Sequence, residues 1–424
     1  MKLIKNAAIL WENEYVTKSN LAFDEQGIQG LISTYDENDY EEIIDGEGYL
    51  LLPGLIDVHV HLREPGFEYK ETIKTGTQAA AHGGFTTLMA MPNLNPHPDN
   101  VETMKAYLQK IQDDAIVNVI PYANITCKAA GREVVDFKAM AELGIHAVSD
   151  DGVGVAREEV MLEAMKQAKE SNTMIVAHTE DMAYRIGTAC MHEGIRNQQL
   201  GLPGIPSACE YAQFQRDLQL VEQSGCAYHV CHMSAIESVQ SLKEAKAKGL
   251  NVSGEVTAHH LLLNEMDVVD ANHKMNPPLR SKEDQEALIQ GLLDGTIDMI
   301  ANDHAPHSEE EKNRGMEKAP FGIVALETAF PLLYTRFVKD TQQFSLSQLV
   351  RWMSEAPAKR FGFTKKGMLK EGYDADMILV DINEMRKVNK NEFYSKGKNT
   401  PFDGWEAYGW VMKTYCAGKL VYER

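Results

Sequence analysis

Two histidines in the segment DVHVHLREPG have the residue type and spacing of metal ligands. Because side chains two positions apart on a strand point to the same side, His59 and His61 would present both imidazoles to one site. Further residues of ligand type follow other apolar runs: Asp150 and Asp151 in SDDG, His178, His232 in VCHMS, and Asp303 in ANDHAPH. Imidazole and carboxylate ligands suit a divalent transition metal, most often zinc.

The number of these ligands predicts a two-metal site. A lone histidine after a strand is usually packed or hydrogen-bonded, but here five strand ends supply residues of ligand type. Four histidines and two carboxylates are more than one tetrahedral zinc requires, so two metals about 3.5–4 Å apart are expected. Adjacent residues on a strand face opposite ways, so only one of Asp150 and Asp151 should reach the metals. The spacing does not decide which one.

Eight strand-like segments precede or contain these residues and alternate with helical patterns such as REEVMLEAMKQAKES. They span residues 55–59, 86–91, 116–122, 145–148, 174–177, 227–231, 251–256 and 298–301. This alternation predicts an α/β fold, a closed (β/α)₈ TIM barrel. Chemistry in such barrels lies at the carboxyl ends of the strands, which is where the candidate ligands stand.

Both ends of the chain have short apolar runs broken by polar turns, which is typical of β structure. Examples are LIKNAAIL near the start and GMLKEGYDADMILVD near the end. We therefore expect a small β-sandwich domain built from residues 1–53 and 364–424. The barrel would occupy residues 54–363.

Composition limits the classes of partner. A formal net charge of -20 disfavours binding to nucleic acid or to an anionic membrane surface. The six cysteines form no CxxC pair and are typical of reduced thiols. No run of about 18 apolar residues and no signal peptide stand out. The sequence therefore predicts a cytoplasmic enzyme that acts on a small molecule.

Several motifs resemble one family closely. PGLIDVHVHLREPG is similar to the amidohydrolase superfamily, and its Arg and Glu are similar to the dihydroorotases. MPN at 91–93, KMNPPLR at 274–280, DHAPH at 303–307 and APFG at 319–322 extend the resemblance over most of the chain. The combination of HLREPG, KMNPPLR and DHAPH is highly specific.

The resemblance implies a role for particular residues. Two Zn²⁺ ions would be bound by six side chains: His59, His61, Asp151, His178, His232 and Asp303. The family precedent favours Asp151 over Asp150 as the bridge between the metals. Substrate contacts would come from His61, Arg63, Asn93, Asn276, His307, Phe321 and Gly322.

Two positions depart from the wider superfamily. Many relatives bridge the metals with a carboxylated lysine after strand four, whereas this chain has SDDG there and no lysine nearby. A carboxylate can bridge two cations directly, which resembles the bacterial dihydroorotases with an Asp bridge, but it leaves occupancy of the second metal position open. Asn302 stands where Thr is expected, and its side chain should point away from the metals.

The implied reaction is the reversible hydrolysis of dihydroorotate to N-carbamoyl-L-aspartate, whose reverse direction serves pyrimidine (UMP) biosynthesis. Asp303 would act as base and then as acid, accepting a proton from the attacking water and passing it to the leaving nitrogen. Arg63, two residues after His61, would bind the substrate carboxylate through its planar guanidinium. The alternative for Arg63 is a surface salt bridge with Glu64 or Glu68 that has no role in substrate binding.

Other functions stay open at this stage. A hydantoinase or allantoinase shares the barrel and the HxH pattern, but Arg63 and the missing lysine argue against both. An inactive scaffold for aspartate transcarbamoylase should have lost ligands, and this chain keeps all six. A homodimer is the expected assembly, and association with aspartate transcarbamoylase is left open. The charged residues 308–318 predict a solvated loop, which is either a lid over the site or an ordinary surface loop.

Overall fold

The structure is a computed structural model that describes residues 1–424. The N-terminal segment forms five strands: β1 (Lys2–Trp11), β2 (Glu14–Asp24), β3 (Gly27–Leu31), β4 (Glu42–Asp45) and β5 (Leu50–Pro53). β1 pairs antiparallel with β2 and parallel with β4 and β5. Its central position gives this part of the chain one continuous sheet.

The predicted barrel is confirmed, with its eight strands close to the predicted positions. They are β6 (Leu55–Val60), β7 (Phe85–Ala90), β8 (Asn118–Pro121), β9 (Ala147–Val148), β10 (Met174–Ala177), β13 (Ala227–Val230), β14 (Val252–Thr257) and β15 (Met299–Ala301). All pairs along this order are parallel. Bridges between Ala123 and Val148 and between Val60 and His304 close the ring. Outside it, β11 (Met191–His192) pairs with β12 (Gly204–Ile205).

Thirteen α-helices accompany the strands. They are α1 (Ile73–Gly83), α2 (Val101–Asp114), α3 (Phe137–Glu142), α4 (Glu158–Glu170), α5 (Ile195–Leu200), α6 (Ala208–Ser224), α7 (Ile236–Ala247), α8 (Ala258–Leu262), α9 (Lys282–Leu293), α10 (Glu309–Lys312), α11 (Ala329–Leu333), α12 (Leu346–Val350) and α13 (Ala356–Phe361). Two π-helical segments, Tyr334–Asp340 and Arg351–Glu355, follow α11 and α12. Short 3₁₀ helices span Glu37–Asp39, Cys127–Ala129, Glu265–Asp267, Ala271–His273 and Lys390–Glu392.

Helix α4 illustrates how the sequence pattern positions an outer helix. Its buried residues are Val160, Met161, Ala164, Met165 and Ala168, which recur at the three- and four-residue spacing of one helical face. Those side chains join the main apolar core of 66 residues, which lies around the barrel strands. None of the helices combines the length and the apolar composition needed to cross a bilayer.

The C-terminal segment completes the sheet begun by the N-terminal strands. It supplies β16 (Met377–Asp381), β19 (Trp410–Cys416) and β20 (Lys419–Glu423) to that sheet. β17 (Arg386–Lys387) and β18 (Glu406–Ala407) pair with each other in a separate two-stranded sheet. β16 pairs antiparallel with both β5 and β19, so one eight-stranded sheet contains strands from both termini.

The two faces of this sheet bury different cores. On β16, Met377 and Leu379 join a small cluster within the terminal strands, whereas Ile378 and Val380 join the main core. This is the period of two expected for a strand that is buried on both faces. The sheet from both termini thus packs against the barrel. The exact division at residues 1–53 plus 364–424 and 54–363 stays a prediction.

Candidate metal centre and active site

The candidate metal ligands come from five strands and meet at one end of the barrel. β6 carries His59 and is followed by His61, and the others lie just after β9, β10, β13 and β15: Asp151, His178, His232 and Asp303. All six are buried, the most accessible being 7% exposed. Since the barrel strands are parallel, their carboxyl ends lie on one rim, and residues distant in the sequence become neighbours there.

The distances divide the six side chains into two overlapping groups. In the first, His59 Nε2 lies 3.2 Å from Asp151 Oδ1, and His61 Nε2 lies 2.8 Å from Asp303 Oδ1. In the second, His178 Nδ1 and His232 Nε2 each lie 3.6 Å from Asp151 Oδ1 and 2.9 Å from each other. Asp151 belongs to both groups, which is the position a bridging ligand would take.

Asp150, the alternative left open by the sequence, faces away from this cluster. Its carboxylate accepts hydrogen bonds from the main-chain N–H groups of Ile125 and Thr126 and from the side chains of Asn124 and Thr126. With its oxygens satisfied by the preceding barrel loop, Asp150 serves as a structural residue in this geometry.

The donor set fits a metal. His59 Nε2 and Asp151 Oδ1 are fully buried and have no hydrogen-bond partner, although both point into the cluster. A buried polar atom without a partner is costly unless something else satisfies it. Nitrogen and carboxylate ligands in groups of three, with their ligand atoms within 4.8 Å of one another, suit a divalent ion.

The charges of the cluster depend on one another. Burial lowers the pKa of His59, but the carboxylates of Asp151 and Asp303 outweigh it and raise the pKa well above its ordinary value. Burial raises the pKa of Asp303, but the positive charge of His59 and the contact with His61 bring it down to about 2. Burial raises the pKa of Asp151 too, but the charge of His59 and the contacts with His178 and His232 hold it well below its ordinary value. Both carboxylates are therefore ionised at neutral pH and need positive charge beside them, from protons or from cations.

A cavity of about 230 Å³ opens directly onto this cluster. All seven predicted substrate residues line it: His61, Arg63, Asn93, Asn276, His307, Phe321 and Gly322. The cavity is smaller than the roughly 300–1,000 Å³ typical of sites for drug-sized ligands, so its size suits a small metabolite.

The cationic side of the cavity is built around His307. Its Nε2–H donates to the carbonyl of Phe321 at 2.8 Å, and its Nδ1 accepts from Lys70 Nζ at 3.2 Å. Burial and the neighbouring charges of Arg63 and Lys70 hold the pKa of His307 far below its usual value, so the ring is neutral. With Nε2–H already donating, the Nη2 of Arg63 at 3.3 Å has no acceptor there and remains available to an anion.

The surface salt bridges considered for Arg63 are absent. Its side chain is buried, and its Nε donates to the carbonyl of Pro306 at 3.3 Å. Glu64 instead pairs with Lys110, and Glu68 accepts from the main chain of Gly66.

Comparison with known proteins identifies the family. A family profile described as "Dihydro-orotase-like" matches residues 48–238, and one described as "Amidohydrolase family" matches residues 312–422. Dihydroorotase from Bacillus pumilus is 51% identical over 99% of this chain and 98% of its own length. Dihydroorotase from Bacillus cytotoxicus is 50% identical over 100% of this chain and 98% of its own. This chain belongs to the dihydroorotase family.

A solved structure supports the fold of this chain. Dihydropyrimidinase from Brevibacillus agri superposes with a TM-score of 0.86 at 24% identity, covering 100% of this chain and 95% of the other. At that identity the likeness concerns the architecture alone, a barrel with a terminal sheet, which agrees with the predicted fold class.

Two carboxylates that contact the candidate metal ligands were missed by the sequence analysis. Glu255 on β14 accepts from His59 Nδ1 at 2.7 Å and from His229 Nε2 at 3.0 Å, and Glu180 lies 3.2 Å from His178 Nε2. By holding the second ring nitrogen, such carboxylates fix the tautomer of a metal-binding histidine. A signal existed for both, since Glu255 is the one charged residue in the buried strand VSGEVT and Glu180 follows His178 by two positions.

Two further predictions from the sequence concern Asn302 and the loop over residues 308–318. Asn302 points away from the cluster as expected, its Nδ2 donating to Asp57 Oδ2 at 2.8 Å. The prediction of a solvated loop over residues 308–318 was wrong for its first residues, which form the short helix α10. Ser308 caps α10, and the side chain of Lys312 is buried beneath the cavity wall.

Proposed function

We propose that this member of the dihydroorotase family hydrolyses dihydroorotate reversibly to N-carbamoyl-L-aspartate, the ring-closing direction serving pyrimidine (UMP) biosynthesis. The observation that carries the proposal is a buried guanidinium, that of Arg63, in the same small cavity as the His/Asp cluster. A cyclic amide bearing a carboxylate is the kind of substrate that needs both.

The proposed metal ligands are His59, His61, Asp151, His178, His232 and Asp303, which would hold two Zn²⁺ ions with Asp151 shared between them. Divalent metals in such a site act as Lewis acids and make water nucleophilic at neutral pH. The protein's own part is to keep the ligands deprotonated and oriented, and contacts of the other ring nitrogens with Glu255, Asn93 and Glu180 support that role.

Asp303 is the proposed catalytic residue. With a pKa of about 2 it is ionised at neutral pH and can accept the proton of the attacking water. The same carboxylate would then deliver that proton to the ring nitrogen as the amide bond breaks. Its position on the cavity wall, against His61, supports a role in both steps.

Arg63 and Asn93 are proposed to bind the substrate carboxylate, with His307 in contact with the substrate. Asn276 would hold the ring amide, and the main chain of Phe321 and Gly322 would close over the ring. The guanidinium supplies the charge in a planar fork. Arg185, which the sequence analysis missed, also lines the cavity and pairs with Glu180. Lys70 contacts His307 and pairs with Glu311. Burial makes each of these contacts stronger than it would be in water.

A side-by-side assay tests the function. Purified protein loaded with Zn²⁺ is given dihydroorotate, hydantoin and allantoin at equal concentrations, and the metal per chain is measured. We expect turnover of dihydroorotate to exceed the others by orders of magnitude, with about two zinc ions bound. Preference for hydantoin or allantoin would replace the proposed substrate. A chain without metal or turnover would be an inactive scaffold.

We further propose a cytoplasmic homodimer. All six cysteines are free thiols, which suits a reducing compartment. Light scattering on the purified protein would give a mass near twice 47.4 kDa for the dimer. Addition of aspartate transcarbamoylase would reveal by a further increase in mass whether the two enzymes associate.

A further inference from the structure

Lys312 is a buried lysine that the proposed reaction does not use. Its side chain is 4% exposed, and its Nζ donates to three main-chain carbonyls, those of Lys274 at 3.2 Å, Pro320 at 3.1 Å and Gly322 at 3.0 Å. Burial and the charge of Lys274 lower the pKa of Lys312 to about 7. Removing an ammonium from water costs free energy, which the hydrogen bonds to the carbonyls offset.

Asn399, from the C-terminal segment, also donates hydrogen bonds to main-chain carbonyls near Gly322. Its Nδ2 donates to the carbonyls of Ala305 and Gly322, both at 3.0 Å, and its Oδ1 accepts from the main-chain N–H of His307 at 3.1 Å. Only 3% of this residue is exposed. One amide therefore ties the segment that follows β15 to the segment around Gly322.

The two side chains meet at a single atom, the carbonyl oxygen of Gly322, each at 3.0 Å. The backbone there is tightly packed: Gly322 has φ +133°, and a Cβ at this position would lie 2.6 Å from the Cβ of Ala305. The N–H of Gly322 also donates to the carbonyl of Lys274 at 2.9 Å. Neither Lys312 nor Asn399 lines the cavity itself.

We propose that Lys312 and Asn399 form a carbonyl clamp, a pair of positioning residues that fixes the substrate-binding backbone of Phe321 and Gly322 together with His307. The inference rests on the proposed function and extends it. Displacement of a positioning group by about 1 Å can cost 100-fold in rate. Because the clamp holds groups that bind substrate and does not reach Asp303, its loss should act on KM more than on kcat.

The test compares Lys312→Met with Lys318→Met, which removes the same charge from an exposed position of the same loop. KM and kcat for dihydroorotate, metal content and Tm are measured for each. We expect Lys312→Met to raise KM about tenfold or more while kcat changes less than about threefold and bound metal is unchanged. The Lys318 variant should match the wild type.

A second variant, Asn399→Leu, and the double variant complete the test. Since both residues hold one carbonyl, their effects on KM should be non-additive in a double-mutant cycle. Additive effects, an unchanged KM, or a fall in kcat alone would overturn the clamp. Failure of both single variants to fold would assign the residues a purely structural role and overturn it too. Wild-type protein that does not turn over dihydroorotate would instead refute the proposed function.

Discussion

The two ends of the barrel both carry cavities, and they differ in chemistry. The cavity at the carboxyl ends of the strands has a volume of about 230 Å³ and contains the His/Asp cluster. The cavity at the amino ends is about 480 Å³ and has an apolar floor that includes Met89, Ile120, Met174 and Phe361. Its main charge is Arg360, which is bonded to Asn251 and to the carbonyl of Tyr228. Volume is therefore a poor guide to the reactive end, and converging titratable groups are a better one.

The two ends of the barrel also differ in how many of their non-glycine residues have unfavourable backbone angles. Three non-glycine residues of the proposed site have left-handed backbone angles: Arg63 at φ 61°, His232 at φ 30° and Asp303 at φ 48°. Such conformations cost about 1–3 kcal/mol each and persist where the surroundings impose them. At the amino end the comparable residue is Asn172 at φ 51°, a residue type that tolerates this region in turns. The reactive end thus has such angles at two proposed metal ligands, His232 and Asp303, and at one proposed substrate contact, Arg63.

The largest effect should come from Asp303→Asn at the reactive end. Loss of the carboxylate that accepts and returns the proton should lower kcat for dihydroorotate by at least about 1,000-fold, since general acid–base catalysis alone contributes roughly 10²–10⁴-fold. The circular dichroism spectrum and the Tm should show that the fold is intact. Turnover within tenfold of wild type would remove Asp303 from the mechanism.

A smaller effect is expected from Arg63→Ala. Without the guanidinium the substrate carboxylate loses a charge-assisted bidentate contact, worth about 1.5–3 kcal/mol, so KM should rise roughly 10- to 100-fold. Steady-state kinetics with dihydroorotate provide the measurement. Arg157→Ala, on an exposed surface, is the matched control and should leave KM unchanged. A normal KM for the Arg63 variant would contradict its proposed role.

Glu255→Gln should weaken metal binding with a more modest effect on the chemistry. The glutamine cannot accept from both His59 and His229 as the carboxylate does, so the His59 ring loses orientation. Such changes typically cost 10- to 100-fold in metal affinity. Competition with a chromophoric chelator measures it, with the exposed Glu244→Gln as control. Equal affinities of the two variants would show that Glu255 does not support the ligand.

The smallest effect on activity should follow Arg360→Met at the amino end. Its three hydrogen bonds, to Asn251 Oδ1 at 2.6 Å, Tyr228 O at 2.9 Å and Asn251 O at 3.3 Å, join α13 to the strand starts. Their loss should lower the free energy of unfolding by about 1–3 kcal/mol, visible in chemical denaturation, while kcat and KM stay the same. A change in kcat would mean that the two ends of the barrel are coupled.

The parts of the fold that could be predicted are those that depend on the spacing of apolar and polar residues along the chain. The eight strands could be recognised because buried parallel strands are short apolar runs between helical patterns, and His59 and His61 share a side because of the strand period of two. The ends of strands were less certain. β9 covers only Ala147–Val148, whereas the apolar run begins at residue 145.

Contacts between segments without a shared period could not be predicted. Glu255 on β14 reaches His59 across 196 positions of the sequence, and Asn399 reaches His307 across 92. The choice of Asp151 over Asp150 depended on which way a short loop turns after β9. Such details follow from tertiary packing, which one sequence read alone does not contain.

The shared sheet of the termini has a consequence for the order of folding. β5 ends at Pro53 and its partner β16 begins at Met377, so 324 residues separate the two edges. At about 5–20 residues per second, a ribosome needs roughly 16 to 65 seconds to cover that distance. During that time the apolar edge of β5 has no neighbour on that side. Nascent chains should therefore be prone to association and dependent on chaperones until β16 has emerged.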